Sequence, residues 1–442
     1  MPMTANHTMT KARQLQRALY VAAKRSAGRR FHALYDKVYR EDILARAWAE
    51  VKANRGAAGV DGQTLADIEA RGVDSFLAGI SAELEARRYR TRPARRVFIP
   101  KPGRPDERRA LGIPGVKDRV VQQATKLILE PIFEADFRAC SFGFRPRRSA
   151  HQALEQIRKT VNRGARWVVD ADVQSFFDQI DHDVVLQLVE RRVSDRQILK
   201  LVKGWLRAGV MEDGQWQSTI AGTPQGGVIS PLLANIVLHV LDRVWEQRCG
   251  DLGVLVRYAD DLVVICWSEA AANESLRRVS LVLERLRLHL HPTKTRIVDL
   301  RMGRQGFDFL CFHHRVKESR RWRGHRYLYL WPSSQAMKAI RQRIKETVAT
   351  RQVLSHSLGD VVAAVNPVLR GWAQYFRRGN ANRQFAAIDR YVTFRLARFD
   401  QDKRQRDSLG WTNPELLQRL HDAGVYRLTG TVRYLPVVHA TT

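Results

Sequence analysis

Gly253-Val-Leu-Val-Arg-Tyr-Ala-Asp-Asp-Leu-Val-Val-Ile-Cys266 is the stretch that decides how this chain is read. Two apolar, β-branched runs flank Tyr258-Ala259-Asp260-Asp261, a pattern that predicts a β-hairpin with acidic residues at its tip. Neither run alternates polar with apolar, so both strands are expected to be covered on both faces. The tip lacks the glycine that a tight Asp-Gly turn favours. Adjacent carboxylates repel, and a pair between buried strands is costly unless cations neutralise it. A solvated Asp-Asp turn is the plainer reading of two such residues alone. The sharper one is a Mg²⁺ site shared with a substrate's phosphates, and it requires a further carboxylate on a neighbouring strand.

Trp167-Val-Val-Asp-Ala-Asp-Val-Gln-Ser-Phe-Phe-Asp-Gln-Ile-Asp181 supplies that carboxylate. Trp167 to Val169 start a strand, and period-two alternation puts Asp170 and Asp172 on one face. Asp172 is the expected ligand, with Asp170 a second candidate. Asp178 and Asp181 lie past the strand and equally suit the cap of a helix over 183–193. Asp172 on one strand and Asp260 at a hairpin tip make a carboxylate pair able, with Mg²⁺, to support two-metal phosphoryl transfer. A metal nuclease also uses such pairs, but it has less need of the cations and helices found elsewhere in the chain.

Bulk composition points to the substrate. The 442 residues suit two to four domains with an ample core, and 44% hydrophobic and 27% charged residues are those of a globular protein. No apolar run approaches a membrane span, and Met1-Pro-Met-Thr-Ala-Asn-His lacks the order of a secretory signal. The scattered Cys140, Cys249, Cys266 and Cys311 suit neither structural zinc nor a disulfide framework, so a reducing cytoplasm is expected. A formal charge of +30 opposes compaction unless a polyanion relieves it. Nucleic acid is therefore the leading partner, and a membrane surface is not.

Basic helices over 11–40 are expected to form an N-terminal arm, followed by a glycine-rich loop at Arg55-Gly-Ala-Ala-Gly-Val-Asp-Gly62 that lets backbone approach something closely. Residues 89–114 read as a hairpin turning near Pro102-Gly103, with Lys101 and Arg109 aimed into one space where they would neutralise a triphosphate. A charge-protected edge strand is the plainer reading. Ser141-Phe-Gly-Phe-Arg-Pro-Arg-Arg-Ser149 interleaves aromatics with Arg145 and Arg148, a composition suited to stacking on bases while pairing phosphates. Ala221-Gly-Thr-Pro-Gln-Gly-Gly-Val-Ile-Ser-Pro231 is a loop opening a long helix, with Ser230 read as its N-cap and Gln225 suited to nucleotide contact. After a basic break at 315–332 the chain turns helical over about 334–349, 356–377 and 382–400. Trp372, Tyr375 and Phe376 recur at helical spacing there, which usually means core, while the surrounding arginines suggest an edge facing nucleic acid. The order of elements is α+β rather than a βαβ series.

Eight blocks in this order resemble those of reverse transcriptases: Ile99-Pro-Lys, Leu111-Gly-Ile-Pro, Ser141-Phe-Gly-Phe-Arg-Pro, Asp170-Ala-Asp-Val, Thr223-Pro-Gln-Gly-Gly, Tyr258-Ala-Asp-Asp, Thr293-Lys-Thr and Phe309-Leu-Cys-Phe. More closely, the chain is similar to proteins encoded by bacterial group II introns. The glycine-rich loop resembles their leading block, and Leu369-Arg-Gly-Trp-Ala-Gln-Tyr-Phe376 resembles their maturase, or thumb, domain. The resemblance implies a right-hand polymerase fold, with fingers and an antiparallel palm sheet followed by a helical thumb. It implies Asp172, Asp260 and Asp261 as catalytic aspartates, with the Val173 carbonyl as a further contact to two Mg²⁺ ions. Lys101, Arg109, Gln225 and Tyr258 would meet the incoming dNTP. Phe177, or Phe176 in its place, would exclude a ribose 2′-hydroxyl. Arg145, Arg148, Lys294, Arg370, Trp372 and Arg377 would meet nucleic acid.

The domains expected are a basic extension (1–46), fingers and palm (47–316), thumb/maturase (317–400) and a short basic nucleic-acid-binding tail (401–442). Expected partners are group II intron RNA, an RNA template, a DNA primer or target DNA, and dNTPs, in a bacterial cytoplasm at the nucleoid. Gln174 stands where the family often has lysine, Cys311 where it often has glycine, and no Cys-x-x-Cys or His-Asn-His constellation suggests an appended endonuclease. Two other readings carry over from the same residues. One is a reverse transcriptase serving defence or repair without an intron, and the other is an RNA-folding cofactor with a vestigial polymerase site.

Overall fold

The computed structural model describes residues 10–101, 104–212, 214–218, 222, 226–319, 323–348, 355–404 and 414–434. Helices α1 (Lys11–Arg25), α2 (Tyr35–Val38), α3 (Glu41–Ala53), α4 (Leu65–Arg71) and α5 (Val73–Glu85) come first. Strands β1 (Ala94–Lys101) and β2 (Arg104–Ile113) precede α6 (Val116–Glu134) and α7 (Ala150–Asn162). Strand β3 (Trp167–Asp172) leads through α8 (Phe176–Gln179) to α9 (His182–Glu190) and α10 (Arg196–Arg207). Then come β4 (Val210–Glu212), β5 (Gln215–Gln217), α11 (Ser230–Arg248), β6 (Val254–Tyr258), β7 (Asp261–Cys266), α12 (Glu269–Arg285) and β8 (Arg296–Asp299). Strands β9 (Phe307–Phe309), β10 (Phe312–Glu318) and β11 (Arg326–Pro332) lead to helices α13 (Ser334–Val348), α14 (Leu358–Phe376), α15 (Asn382–Arg404) and α16 (Pro414–Asp422).

The central sheet has the order β6-β7-β3-β8, all antiparallel. Its residues divide by parity between two cores. In β7, Leu262, Val264 and Cys266 join one core while Val263 and Ile265 join the other. Strand β3 divides likewise, Val169 and Ala171 against Val168. Two-sided burial is why these strands read as unbroken apolar runs. The same parity gives Asp170, Asp172 and Asp261 the face of Val168 and Val263, the side of the second core. That core also holds α7, β9–β11 and the helices α13–α15.

One charge lies inside this frame. Arg257 of β6 has no exposure at all and faces α11. Its Nε donates to Asp242 Oδ1 at 2.8 Å, and its Nη2 to Asp242 Oδ2 at 2.5 Å and Ser141 Oγ at 2.8 Å. Its Nη1 donates to Asn235 Oδ1 at 3.0 Å and to the Ala259 carbonyl at 2.8 Å. A buried guanidinium is tolerated only when paired and fully hydrogen-bonded, as this one is.

Several expectations are corrected. Ser230 lies inside α11, after the N-cap residue Ile229; Gln122 Oε1 accepts from the amides of Val228 and Ile229, so no serine cap is needed. The chain on both sides of the glycine-rich loop is helical, and what that loop approaches is this protein. A Cβ on Gly59 would lie 2.5 Å from Gly115 Cα at the start of α6. The boundary expected at 316/317 cuts a hairpin, because β10 pairs with β11 from Phe312↔Pro332 to Glu318↔Arg326. Nor does the described part of the tail stand apart: Leu420 and Leu428 are buried in the second core, and Asp389 accepts from the Leu428 and Thr429 amides. No helix among the described residues is long and apolar enough to cross a membrane.

Replacing Asp242 by alanine strands Arg257 in the interior, and is expected to cost about 3–5 kcal/mol. Urea unfolding of the full chain measures it; an unchanged midpoint contradicts the role given to the pair.

Candidate active site

The β6–β7 register pairs Tyr258 with Asp261 and leaves Ala259-Asp260 as the whole turn. The β3–β7 register sets Asp172 directly across from Asp261. Three acidic residues therefore lie close together at the end of the central sheet. Ala259 sits at φ 58°, a left-handed conformation that costs a residue with a Cβ about 1–2 kcal/mol. Two contacts hold it there: the bond from Arg257, and the close approach of Gly143, whose Cβ would lie 2.3 Å from the Ala259 amide nitrogen. The glycine this turn requires is thus in a distant loop and not in the turn.

Electrostatics mark the cluster as short of positive charge. Asp261 is pushed up to about 7 by desolvation and by the charges of Asp260, Asp172 and Asp170. Asp260 is raised too, by burial and by Asp172. The charge of Arg109 on β2 opposes both shifts. Lys294 puts its amine 3.0 Å from Asp172 Oδ2, and the Asp172 carbonyl accepts from the His291 amide at 2.7 Å. Asp170 is held by Arg296 at 3.3 Å and raised to about 6, chiefly by burial.

Among the described residues no three His, Cys, Asp or Glu side chains converge tightly enough to hold a metal ion as they stand. The donor set nonetheless fits a hard divalent cation: acidic oxygens at adjoining positions, burial that raises Asp260 and Asp261, and an exposed lysine as countercharge. No hydrogen bond claims the Val173 carbonyl among the described residues; the bonds fall on either side of it, Gln174 to His289 and His291 to Asp172.

Other expected contacts separate. Phe176 is 2% exposed in the core, whereas Phe177 beside it is half-buried, so of the two only Phe177 keeps an open face. Arg145 is not a nucleic-acid contact: it is buried, forks onto Glu134 and donates to the carbonyls of Arg138 and Ser141. Charge composition exposes an arginine's presence but not its internal partner. Arg148 lies over the Phe142 ring, half-exposed. Arg370 is exposed beside Tyr426, while Trp372 packs on Phe376 and Phe385 and Arg377 closes α14 against the tail. Gln225 and the side chain of Lys101 lie outside the described residues.

Two aromatic residues that the sequence reading took only as members of a group, Phe144 among stacking aromatics and Tyr375 among core ones, have individual surroundings in the fold. Phe144 is half exposed, at φ 53°, with its ring 6.4 Å from that of Tyr258. Strain of that kind in an exposed aromatic is a mark of function. Tyr375 of α14 donates to the Leu310 carbonyl at 3.0 Å, and its own carbonyl bonds His151 at 2.8 Å. Burial raises its hydroxyl pKa, followed by Cys311, Tyr258 and Asp261. Leu310 and Cys311 both take positive φ, forming the tight turn between β9 and β10. The helical spacing of Tyr375 pointed to core; only the fold brings its hydroxyl to that turn.

An acidic sheet end with a helical unit behind it suits a polynucleotide polymerase, and residues 99–320 match the family described as reverse transcriptase (RNA-dependent DNA polymerase). The chain belongs to that family. Residues 337–414 match the group II intron maturase-specific domain, so the enzyme is an RNA-directed DNA polymerase with a maturase domain. Protein YkfC of Escherichia coli (strain K12) is 34% identical over 346 residues, covering 70% of this chain and 88% of YkfC. Group II intron-encoded protein LtrA of Lactococcus lactis subsp. cremoris is 39% identical over 214 residues, 48% of this chain but 35% of LtrA. Nuclear intron maturase 2, mitochondrial, of Arabidopsis thaliana is 31% identical over 175 residues, 30% of this chain and 24% of that protein.

Gly143→Ala is expected to displace the Asp260 turn and lower primer extension at least about 100-fold; full activity would contradict the packing described. Tyr375→Phe removes the bond to the Leu310 carbonyl and is expected to cost about 0.5–1.5 kcal/mol of stability; urea unfolding measures it, and an unchanged midpoint contradicts the bond described.

Proposed function

We propose that this enzyme copies group II intron RNA into DNA at the Asp172–Asp260–Asp261 centre, and that its helical domain binds the same RNA and assists its splicing. The observation carrying the polymerase centre is the cross-strand register of Asp172 and Asp261 beside Asp260, three mutually repelling carboxylates opposite Arg109. Asp172, Asp260, Asp261 and the Val173 carbonyl would hold two Mg²⁺ ions, which would supply charge stabilisation for nucleotidyl transfer and activate the primer 3′-hydroxyl. Arg109, and Lys101 with it, receives the triphosphate of the incoming dNTP. Lys294 leaves Asp172 for the nucleic-acid backbone when the carboxylate gains a stronger partner. Phe177 presents its open face where a 2′-hydroxyl would sit, while Tyr258 and Phe144 offer ring surface to the terminal base pair, with Gln225 near the template. Arg148 and Arg370 contact RNA phosphates. The intron partner and retromobility rest on the maturase domain and on the similarity to LtrA.

Primer extension on an RNA template with dNTPs and Mg²⁺ tests the reading. Asp261→Asn is expected to lower kcat at least about a thousand-fold, because several kcal/mol of charge stabilisation is lost. The same substitution removes a repelled carboxylate and is expected to leave the unfolding midpoint equal or higher. Extension that survives Asp261→Asn, or that wild type never shows, overturns the proposal.

A further inference from the structure

A cavity of about 450 Å³ lies between α1, the end of α6, α9 and the second half of α11. Its lining includes none of Asp170, Asp172, Asp260 and Asp261. Its apolar floor is formed by Phe133, Leu188, Ile236 and Val240. Around them stand Lys24, Arg138, Arg191, Arg192 and Arg243, with Asp136 as the acidic residue of the lining. Some of these cations are engaged. Arg192 holds the carbonyls of Ala23, Ser26 and Ala27 and faces Asp136, Arg138 faces Glu246, and Lys24 donates to the Ala135 carbonyl. The side chains of Arg191 and Arg243 have no ion pair or hydrogen bond among the described residues. His239 is mostly buried in the same lining, edge-on to Phe137 at 5.5 Å, and its Nδ1 is enclosed without a partner. Burial lowers its pKa to about 4, so the ring is neutral and able to accept or donate one bond.

An apolar floor, a neutral imidazole in the lining and two guanidinium groups without side-chain partners suit a flat heteroaromatic ligand carrying an anion. We propose that this cavity binds a nucleotide, with its phosphate on Arg191 and Arg243 and its base against the floor with an edge at His239. The volume lies within the range of small-ligand sites. The nucleotide is either free in solution or one unit of a bound single-stranded RNA, and the polymerase reading does not depend on it.

The test uses the full-length chain with two photoactive probes, azido-AMP and a short single-stranded RNA containing 4-thiouridine. Attachment is expected at peptides carrying Phe133 or Ile236–Arg243. An Arg191→Ala/Arg243→Ala double variant is expected to weaken capture at least about tenfold, the loss of a charge-assisted bond, while primer extension is unchanged. His239→Phe keeps the floor apolar and is expected to weaken capture with no loss of thermal stability. Capture of RNA that AMP does not displace assigns the site to RNA; capture of azido-AMP with no RNA attached there assigns it to a free nucleotide; mutual displacement supports both. No attachment at these peptides, or capture undiminished in both variants, overturns the proposal whatever the result for extension.

Discussion

Everything at the sheet end depends on one guanidinium in a place where charge is costly. All five N–H donors of Arg257 are used, on α11, on the loop before Gly143 and on the turn that carries Asp260. A buried ion pair of this kind is weak evidence of added stability, since apolar residues of the same volume often serve as well. What it supplies here is direction. The Ala259 carbonyl is fixed from below by Arg257 and its amide is crowded by Gly143, so the turn keeps a strained conformation without a glycine of its own. Strain retained by surrounding structure is a common way to hold reactive groups in one arrangement.

The second constraint comes from the other face of the sheet. Phe312 of β10 packs on Tyr375 and Phe376 of α14, and Ser333, just before α13, donates to the Cys311 carbonyl at 2.9 Å. The maturase-domain helices thus share a core with the strands that carry the acidic residues. Motion of those helices would be felt first at the Leu310–Cys311 turn, which is short, left-handed and tied to them at both carbonyls. Cys311 in place of glycine adds stiffness there, since a residue with a Cβ has less freedom to leave or enter that conformation.

Much of this was legible in the chain. Unbroken apolar runs announced doubly covered strands, and period-two spacing put Asp170 and Asp172 on one face, because both signals are local. Helices expected over 269–288 and 356–377 were visible in the same way and run over Glu269–Arg285 and Leu358–Phe376. Whatever depended on a partner far along the chain was not. Arg257 looked like one more basic residue in a basic protein until Asp242 stood opposite it. Arg145 looked available until Glu134 claimed it, and Gly143 looked like loop composition until the Ala259 amide filled the place of its Cβ. Phe142 and Phe144 are indistinguishable in sequence, yet one is buried and the other strained and half exposed.

Three repelling carboxylates at one sheet end would be relieved by divalent cations. Electron paramagnetic resonance of Mn²⁺ added to the full chain with primer–template and a non-hydrolysable dNTP tests this most directly. The account predicts saturable Mn²⁺ binding in the wild-type protein that is lost in Asp172→Asn and Asp261→Asn. Binding indifferent to both substitutions would contradict it.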